Sequence, residues 1–324
     1  DRPQRIDPVA AGKRAAAHGA RNIKKGRGLL CQGSRVKYGL IRVQQKTYPI
    51  TVLCRVMEVS ASAFYAWAKK PEDTYKTRQR EALEAMARQL FDDHKQIYGY
   101  RRLSDALGKA GMTLGHYQVR HLMVRLGLKA RYPKRFKVTT DSNHNEAISP
   151  NSLDRQFDTF APNQVGTTDI TYIWTLEGWL YLAVVIDLFS RQVVGWAVAD
   201  HMRTSLCVSA LQMAFWRRKP KLGLLHHSDR GSQYASHEYR KHLSIMKMEQ
   251  SMSRKGNCWD NSTTERFFRS LKHEQLNYEK FRTKTSANLS IIDYLAFYNG
   301  RRSHSKLGYQ SPLQFERDFY KKAV

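Results

Sequence analysis

Apolar side chains are sparse and without period over residues 1–36, where Arg, Lys, Gly and Ala dominate. Such a stretch has no face to bury, and with the residues up to 48 it predicts a flexible basic arm. The chain opens on Asp1 rather than Met, so this arm reads equally as the tail of something upstream. From Pro49 the pattern turns helical. Ile50, Val52, Leu53, Val56 and Met57 recur at helical spacing, and Ser60 is placed to cap a second short helix carrying Phe64, Tyr65 and Trp67. A helix-turn-helix and a plain helical hairpin give this same pattern. Residues 77–95 read as a charged amphipathic helix with Leu83, Met86, Ala87, Leu90 and Phe91 as its stripe.

A stronger helix-turn-helix candidate follows, with helices over Tyr100–Ala110 and His116–Leu126 and a turn at 111–114. Its second helix buries Val119, Leu122, Met123 and Leu126 and exposes Gln118, Arg120, His121 and Arg125. Long basic and amide side chains on such a face suit phosphate and base-edge contacts in a major groove, although a merely solvated face has the same composition. Residues 129–163 run from basic (Lys129, Arg131, Lys134, Arg135, Lys137) to polar and read as a linker.

Strand periodicity then takes over. Val165–Thr175 alternates, Glu177-Gly178 supplies a hairpin turn, Trp179–Ile186 is a continuous β-rich run, and Gln192–Ala199 makes a third strand. A helix at 203–217, a short strand at Leu222–Leu225 and helices at 236–247 and 260–276 come next, with a last clear helix at 286–299. Three meandering strands followed by alternating helices and strands is the order of a ribonuclease H-like α/β layer. The predicted organisation is therefore a basic arm (1–48), an all-α helix-turn-helix region (49–128), a linker (129–163), an α/β core (164–280) and a helical extension (281–324).

Composition narrows the class. The 324 residues are 41% hydrophobic and 11% aromatic, enough to bury cores. No apolar run is long enough to span a membrane, no secretory signal is visible, and the four cysteines form no metal-type or disulfide spacing. These features predict a cytoplasmic protein. A net charge of +27 calls for a polyanion, and nucleic acid is the commonest. Residues 1–50 carry 12 basic and two acidic side chains, whereas residues 151–200 carry two basic and six acidic ones. One acidic island in a basic chain suggests carboxylates that hold cations.

Three acids stand out there. Asp169 lies inside the first strand, Asp229 just past the fourth, and Glu265 on the helix after Cys-Trp-Asp-Asn-Ser. A carboxylate within an apolar strand is costly unless paired, hydrogen-bonded or coordinated. The 35 residues between Asp229 and Glu265 suffice for a helix, a strand and a loop back to the same sheet edge. Converging carboxylates suit two Mg²⁺ (or Mn²⁺) ions roughly 3.5–4 Å apart, the arrangement used in phosphodiester chemistry.

At the strings TDITYI (168–173), YLAVVIDLFSRQVVGW (181–196), HHSDRGSQYAS (226–236), SRKGNCWDNSTTERFFRSLKHE (253–274) and YNGRRSHSKLGYQSP (298–312), the chain resembles the catalytic protein of bacterial two-reading-frame insertion sequences. These are DDE-type transposases of the retroviral-integrase superfamily. The resemblance runs from about Lys37 to Phe319. It implies that Asp169, Asp229 and Glu265 are the metal-binding triad on a ribonuclease H-like core, and that the preceding helices bind DNA. It further implies double-stranded DNA ends and target as partners, a homo-oligomer on DNA, and a place on the bacterial nucleoid. Lys272, seven residues after Glu265, matches a DNA-contacting lysine of related integrases, with Arg266 and Arg269 beside it. Residues 1–48 hold no heptad run, so the upstream helix-turn-helix and leucine zipper that usually complete such proteins are not expected in this chain.

The remaining polar residues carry weaker expectations. Asp187 suggests a salt link to Arg191 or a strand-end hydrogen bond. His226 and His227 must point to opposite sides of a strand, one packed and one toward substrate. Asp260 and Asn261 suit caps of the Glu265 helix. Trp259 fits a core or a base-stacking platform, and Tyr298, Asn299, Arg301 and His304 fit packing against the core. A purely hydrolytic ribonuclease H-like nuclease and a non-enzymatic DNA-binding regulator are the competing readings.

Overall fold

The computed structural model describes residues 33–69, 75–131, 147–255 and 257–322. The chain divides between Ala82 and Leu83 into two compact units.

The first unit is a three-helix cluster of α1 (Ser34–Gln44), α2 (Ile50–Val56) and α3 (Ala61–Ala68). Ile41, Leu53, Cys54, Met57 and Phe64 form its core, and Ser60 accepts the Ala63 amide at the start of α3 as its position predicted. Helix α1 corrects the expected arm. Residues 34–44 are helical because Ile41 is fully buried and Tyr38 packs on the Phe64 and Trp67 rings at 6.0 and 5.6 Å. Two anchoring side chains among so many charges leave little periodicity to read. The rest of the expected arm, residues 1–32, lies outside the described residues. Helix α4 (Tyr75–Asp93) crosses the boundary between the units.

In the second unit, α5 (Tyr100–Lys109) and α6 (His116–Leu126) form the expected helix pair. Gly111, at φ 84°, makes the turn that a side chain would strain. The Ser104 hydroxyl donates to the Leu114 carbonyl, and Gln118 accepts the Gly115 amide to start α6.

A five-stranded sheet follows. It comprises β1 (Val165–Thr175), β2 (Gly178–Asp187), β3 (Val193–Ala199), β4 (Leu225–Ser228) and β5 (Glu249–Met252), in the order β3-β2-β1-β4-β5. The first three strands are antiparallel, whereas β4 and β5 run parallel to β1. This is the ribonuclease H-like arrangement that the element order predicted. Strand β4 begins three residues later than expected. Gly223 at φ 83° spends its amide on the Lys247 carbonyl, so pairing starts only at Leu225.

Helices cover both faces, so the interior strand β2 is apolar on both. Leu180, Leu182, Val184 and Ile186 face one layer, built by α9 (Ser262–Glu274) and α10 (Lys284–Gly300). Ala183 and Val185 face the other, built by α7 (Thr204–Arg218), with α8 (His237–Ile245) beyond it. A final helix, α11 (Pro312–Lys322), ends the described chain.

The first of these layers also contains Leu103, Leu107, Val119 and Leu122 of α5 and α6, in one continuous core. Polar contacts reinforce that joint. The Tyr98 hydroxyl accepts the Ser303 amide at 3.0 Å, Lys109 donates to the Tyr309 carbonyl at 2.8 Å, and Arg131 donates to the Glu274 carbonyl at 3.0 Å. The helices expected to stand apart as residues 49–128 are thus split, and those after Leu83 share their core with the sheet. Of the expected linker, residues 132–146 lie outside the described residues.

The closest approach in the sheet is at Gly195 of β3. A Cβ there would lie 2.3 Å from the Ala210 carbonyl oxygen and 2.7 Å from the Ala214 Cβ of α7. Helix and strand can meet at this distance only without a side chain. Gly195→Ala should therefore destabilise the protein by about 1–3 kcal/mol, read as a lowered midpoint in thermal unfolding.

Candidate active site

Strand β4 pairs with β1 only from Val165 to Thr167. Beyond that point this edge of β1 has no strand beside it, and the start of α9 takes the place. Asn261, just before α9, donates its side-chain amide to the Thr168 carbonyl at 3.0 Å. The Thr264 hydroxyl lies 2.8 Å from that of Thr167 and 3.0 Å from Asn261 Oδ1. All four residues are buried. The first turn of α9 is thereby sewn to β1 one residue short of Asp169, and Glu265 is the next residue after Thr264.

Asp169 sits in β1 opposite Val184, and the Ile170 amide donates to its Oδ1 at 2.7 Å. Asp229 follows the last residue of β4 and accepts the Gly231 amide at 3.0 Å. Burial, then the charge of Asp229, pushes the Asp169 carboxyl well above the usual range; Glu265 adds to this, while the Ile170 amide and Lys272 oppose it. Glu265 is raised too, by burial first and by Asp229 second. The Lys272 ammonium is lowered by burial, against the pull of Asp169, and lies 4.7 Å from the centre of the Tyr172 ring. Three acids and one lysine from β1, the end of β4 and α9 therefore feel one another's charge. Among the described residues, no three His, Cys, Asp or Glu side chains already stand in metal-ligating geometry. The donor set nonetheless fits a hard divalent cation: it is all carboxylate oxygen, and positive charge would relieve the repulsion.

Residues 160–258 and 246–312 match models of an integrase core domain, and residues 77–136 match an HTH-like domain. Transposase InsF for insertion sequence IS3A of Escherichia coli (strain K12) is 39% identical over 284 residues, which cover 87% of this chain and 98% of that protein. The chain belongs to the DDE-type insertion-sequence transposases. The insertion element IS600 uncharacterized 31 kDa protein of Shigella sonnei is 38% identical over 274 residues, 84% of this transposase and all of that protein. Among solved structures, the simian T-cell lymphotropic virus intasome in complex with PP2A regulatory subunit B56 gamma is 16% identical, with a TM-score of 0.43 over 66% of this chain and 70% of that one. The HTLV-2 integrase catalytic core domain in complex with magnesium is 17% identical, with a TM-score of 0.39 over 48% and 97%.

The basic residues singled out for DNA fall into two places on the transposase. Arg266 and Arg269 are exposed on α9, with Lys272 half-buried beyond them. Arg120, His121 and Arg125 are exposed on α6. Arg125 already pairs with Glu84 at 3.0 Å, and His121 packs on the Tyr117 ring at 4.3 Å. Arg131 is tied to the end of α9 and stacks over Tyr278 at 4.2 Å. Lys134 and Arg135 lie outside the described residues.

Several neighbours differ from expectation. Neither His226 nor His227 reaches a substrate: both are buried, His226 bonded to the Tyr239 hydroxyl and His227 to the Ser251 and Ser253 hydroxyls. Asp187 takes the strand-end alternative, accepting the Ser190 and Asn163 amides, while Arg191 donates instead to Thr263 and to the Phe157 carbonyl. Asp260 does not cap α9, because Arg254 and Arg155 hold its fully buried carboxylate. Asn261 occupies the cap position but turns its side chain to β1. Trp259 is 70% exposed and so is no part of a core. Tyr298 and Asn299 pack as expected, Asn299 bonding both the amide and the carbonyl of Val193, whereas Arg301 is exposed. Sequence reasoning missed the buried Arg302–Glu274 pair, 2.6 Å apart, because its partners are remote in the chain.

Two predictions follow from these charges. Burial lowers the His227 pKa to about 4, below its unfolded value near 6.5. Between those values the unfolded chain binds the extra proton, so stability on the order of 3 kcal/mol is present above pH 6.5 and lost as pH falls toward 4. His227→Gln should flatten the acid limb of the melting-temperature profile. Asp169 has the opposite sign: its raised folded-state pKa means that its charge opposes folding at neutral pH. Without divalent ions, Asp169→Asn should melt above the wild type at pH 7, and that gain should shrink on acidification.

Proposed function

We propose that this transposase uses Asp169, Asp229 and Glu265 to cut DNA at the ends of an insertion sequence and to join the freed 3′-hydroxyl to a second phosphodiester by in-line transesterification. The mutual charge of these acids near the open edge of β1 supports the reading, since burial and repulsion raise Asp169 and Glu265 together. Clustered carboxylates of this kind mark sites that await positive charge. Asp169, Asp229 and Glu265 would hold two divalent cations, Mg²⁺ or Mn²⁺, which when bound lend Lewis acidity to the attacking and leaving oxygens. The Ile170 and Gly231 amides fix the carboxylates of the two aspartates, so the backbone sets where their charge sits. Lys272 lies beside Asp169 and would grip a phosphate next to the reacting one.

Water in the first step and the 3′-hydroxyl in the second would use the same site, and no side chain serves as a covalent nucleophile. Arg266 and Arg269 on α9, and Arg120, His121 and Arg125 on α6, would take duplex phosphates, with Arg131, Lys134 and Arg135 continuing the path. Holding two ends at once requires at least two protomers. The reaction belongs on the nucleoid in the bacterial cytoplasm, and among the described residues no helix is long and apolar enough to cross a membrane.

Purified protein incubated with labelled duplex carrying candidate ends should give 3′ nicks and new DNA junctions only when Mg²⁺ is present, as sequencing of every junction would reveal. Asp229→Asn should bind the same duplex normally and lose roughly 10³-fold or more of product formation. Nicks that are never joined would indicate a hydrolytic nuclease. Loss of duplex binding by this variant would indicate a DNA-binding regulator.

A further inference from the structure

Helix α9 turns a second face, carrying Ser262, Thr263, Arg266 and Ser270, toward a cavity of about 290 Å³. Arg102, Arg191, Arg302 and Lys306 also line it, together with His304, and no acid does. Two of these cations are already matched, Arg302 by Glu274 and Lys306 by Asp158. Arg102, Arg191 and Arg266 form no ion pair among the described residues. Arg191 donates only to neutral groups, and Arg102 has as its partner the Tyr98 ring, at 5.9 Å. Burial lowers the Arg102 and Arg191 guanidinium groups and Arg302 presses Arg102 down further, against the weaker pull of Glu274 on Arg102 and of Asp158 and Asp187 on Arg191. Burial and these same arginines keep His304 neutral. The amino end of α9, which lacks a side-chain cap, adds its positive dipole to the same place. Two half-buried guanidinium groups without an ion pair, beside an exposed third, leave a concentration of positive charge that a phosphate would satisfy.

We propose that this cavity is a second anion site, separate from the carboxylates, that holds a backbone phosphate of the bound DNA. The proposal rests on the reading of the chain as a DNA-joining enzyme. Arg266, Ser305 and Lys306 are exposed at its rim, so a phosphate can enter while still part of a strand. Arg266 directly follows Glu265, which puts the site within a short reach of the reacting bond.

The test uses the full chain without divalent ions, so that it reads binding alone. By fluorescence anisotropy across a salt series, Arg102→Gln/Arg266→Gln should bind a duplex oligonucleotide about 10-fold more weakly, with a log–log salt slope shallower by about one. Lys221→Gln/Lys241→Gln, which removes the same charge from exposed positions, should change affinity far less. Inorganic phosphate, at matched ionic strength, should raise the melting temperature of the wild type but not of the cavity variant. Equal losses in both double variants, or no loss in either, overturn the proposal. A phosphate response without any change in duplex affinity also overturns it, since the site would then take free anions only. Should the double variant fail to fold, Arg266→Gln alone, altering one exposed side chain, should weaken binding about 3-fold, and unchanged affinity would refute the site. If the wild type never cuts DNA but shows these losses, the catalytic reading falls and the anion site stands.

Discussion

Two short contacts at an open sheet edge govern what this molecule can do. Where β4 parts from β1, the side chains of Asn261 and Thr264 fasten the first turn of α9 to Thr168 and Thr167. The edge needs the first, because the Thr168 carbonyl left there without a partner would be buried at a cost, and the second adds a hydroxyl contact beside it. Once they are made, Glu265 has no choice but to approach Asp169 and Asp229. The electrostatic tension among the acids follows from hydrogen bonds that satisfy the fold, and it is maintained at some expense to stability.

Much of this was legible in the chain. Strands β1 and β2 could be delimited because alternation and a glycine-bearing turn agree, and Gly178 indeed takes φ 100°. Helices α5 and α6 were visible from spacing alone. The three acids could be named from their strings, although only the topology shows why residues so far apart in sequence are neighbours. What stayed hidden has a common cause. Strand β5 is Glu-Gln-Ser-Met, with no strand character in its letters, and exists because β4 offers it a partner. His226 and His227 look like chemistry, yet burial keeps them neutral, and the Tyr239, Ser251 and Ser253 hydroxyls hold them in the core. Asp260 has the composition of a cap, but two arginines outbid the helix for it. In each case a tertiary partner, absent from the local string, decides the role.

The buried polar groups share a further logic. Glu274 meets Arg302 and the Tyr294 hydroxyl, while Asp260 meets Arg254 and Arg155. Removing Arg302 would leave Glu274 buried without its partner, at a cost of several kcal/mol, so that cluster tolerates little change. Ion-paired acids lie at the carboxyl end of α9 and just before its start, whereas Glu265, between them on the same element, forms no ion pair among the described residues.

The core shared by α5, α6 and the sheet has a mechanical corollary. On the function proposed above, a DNA-gripping α6 mounted through a packed interior on the layer that carries Glu265 cannot swivel on its own. The number of base pairs between the sequence it reads and the bond that is cut then becomes a property of the polypeptide rather than of the DNA. In that sense the second unit is a ruler, with α6 at one end of the scale and Asp169 at the other.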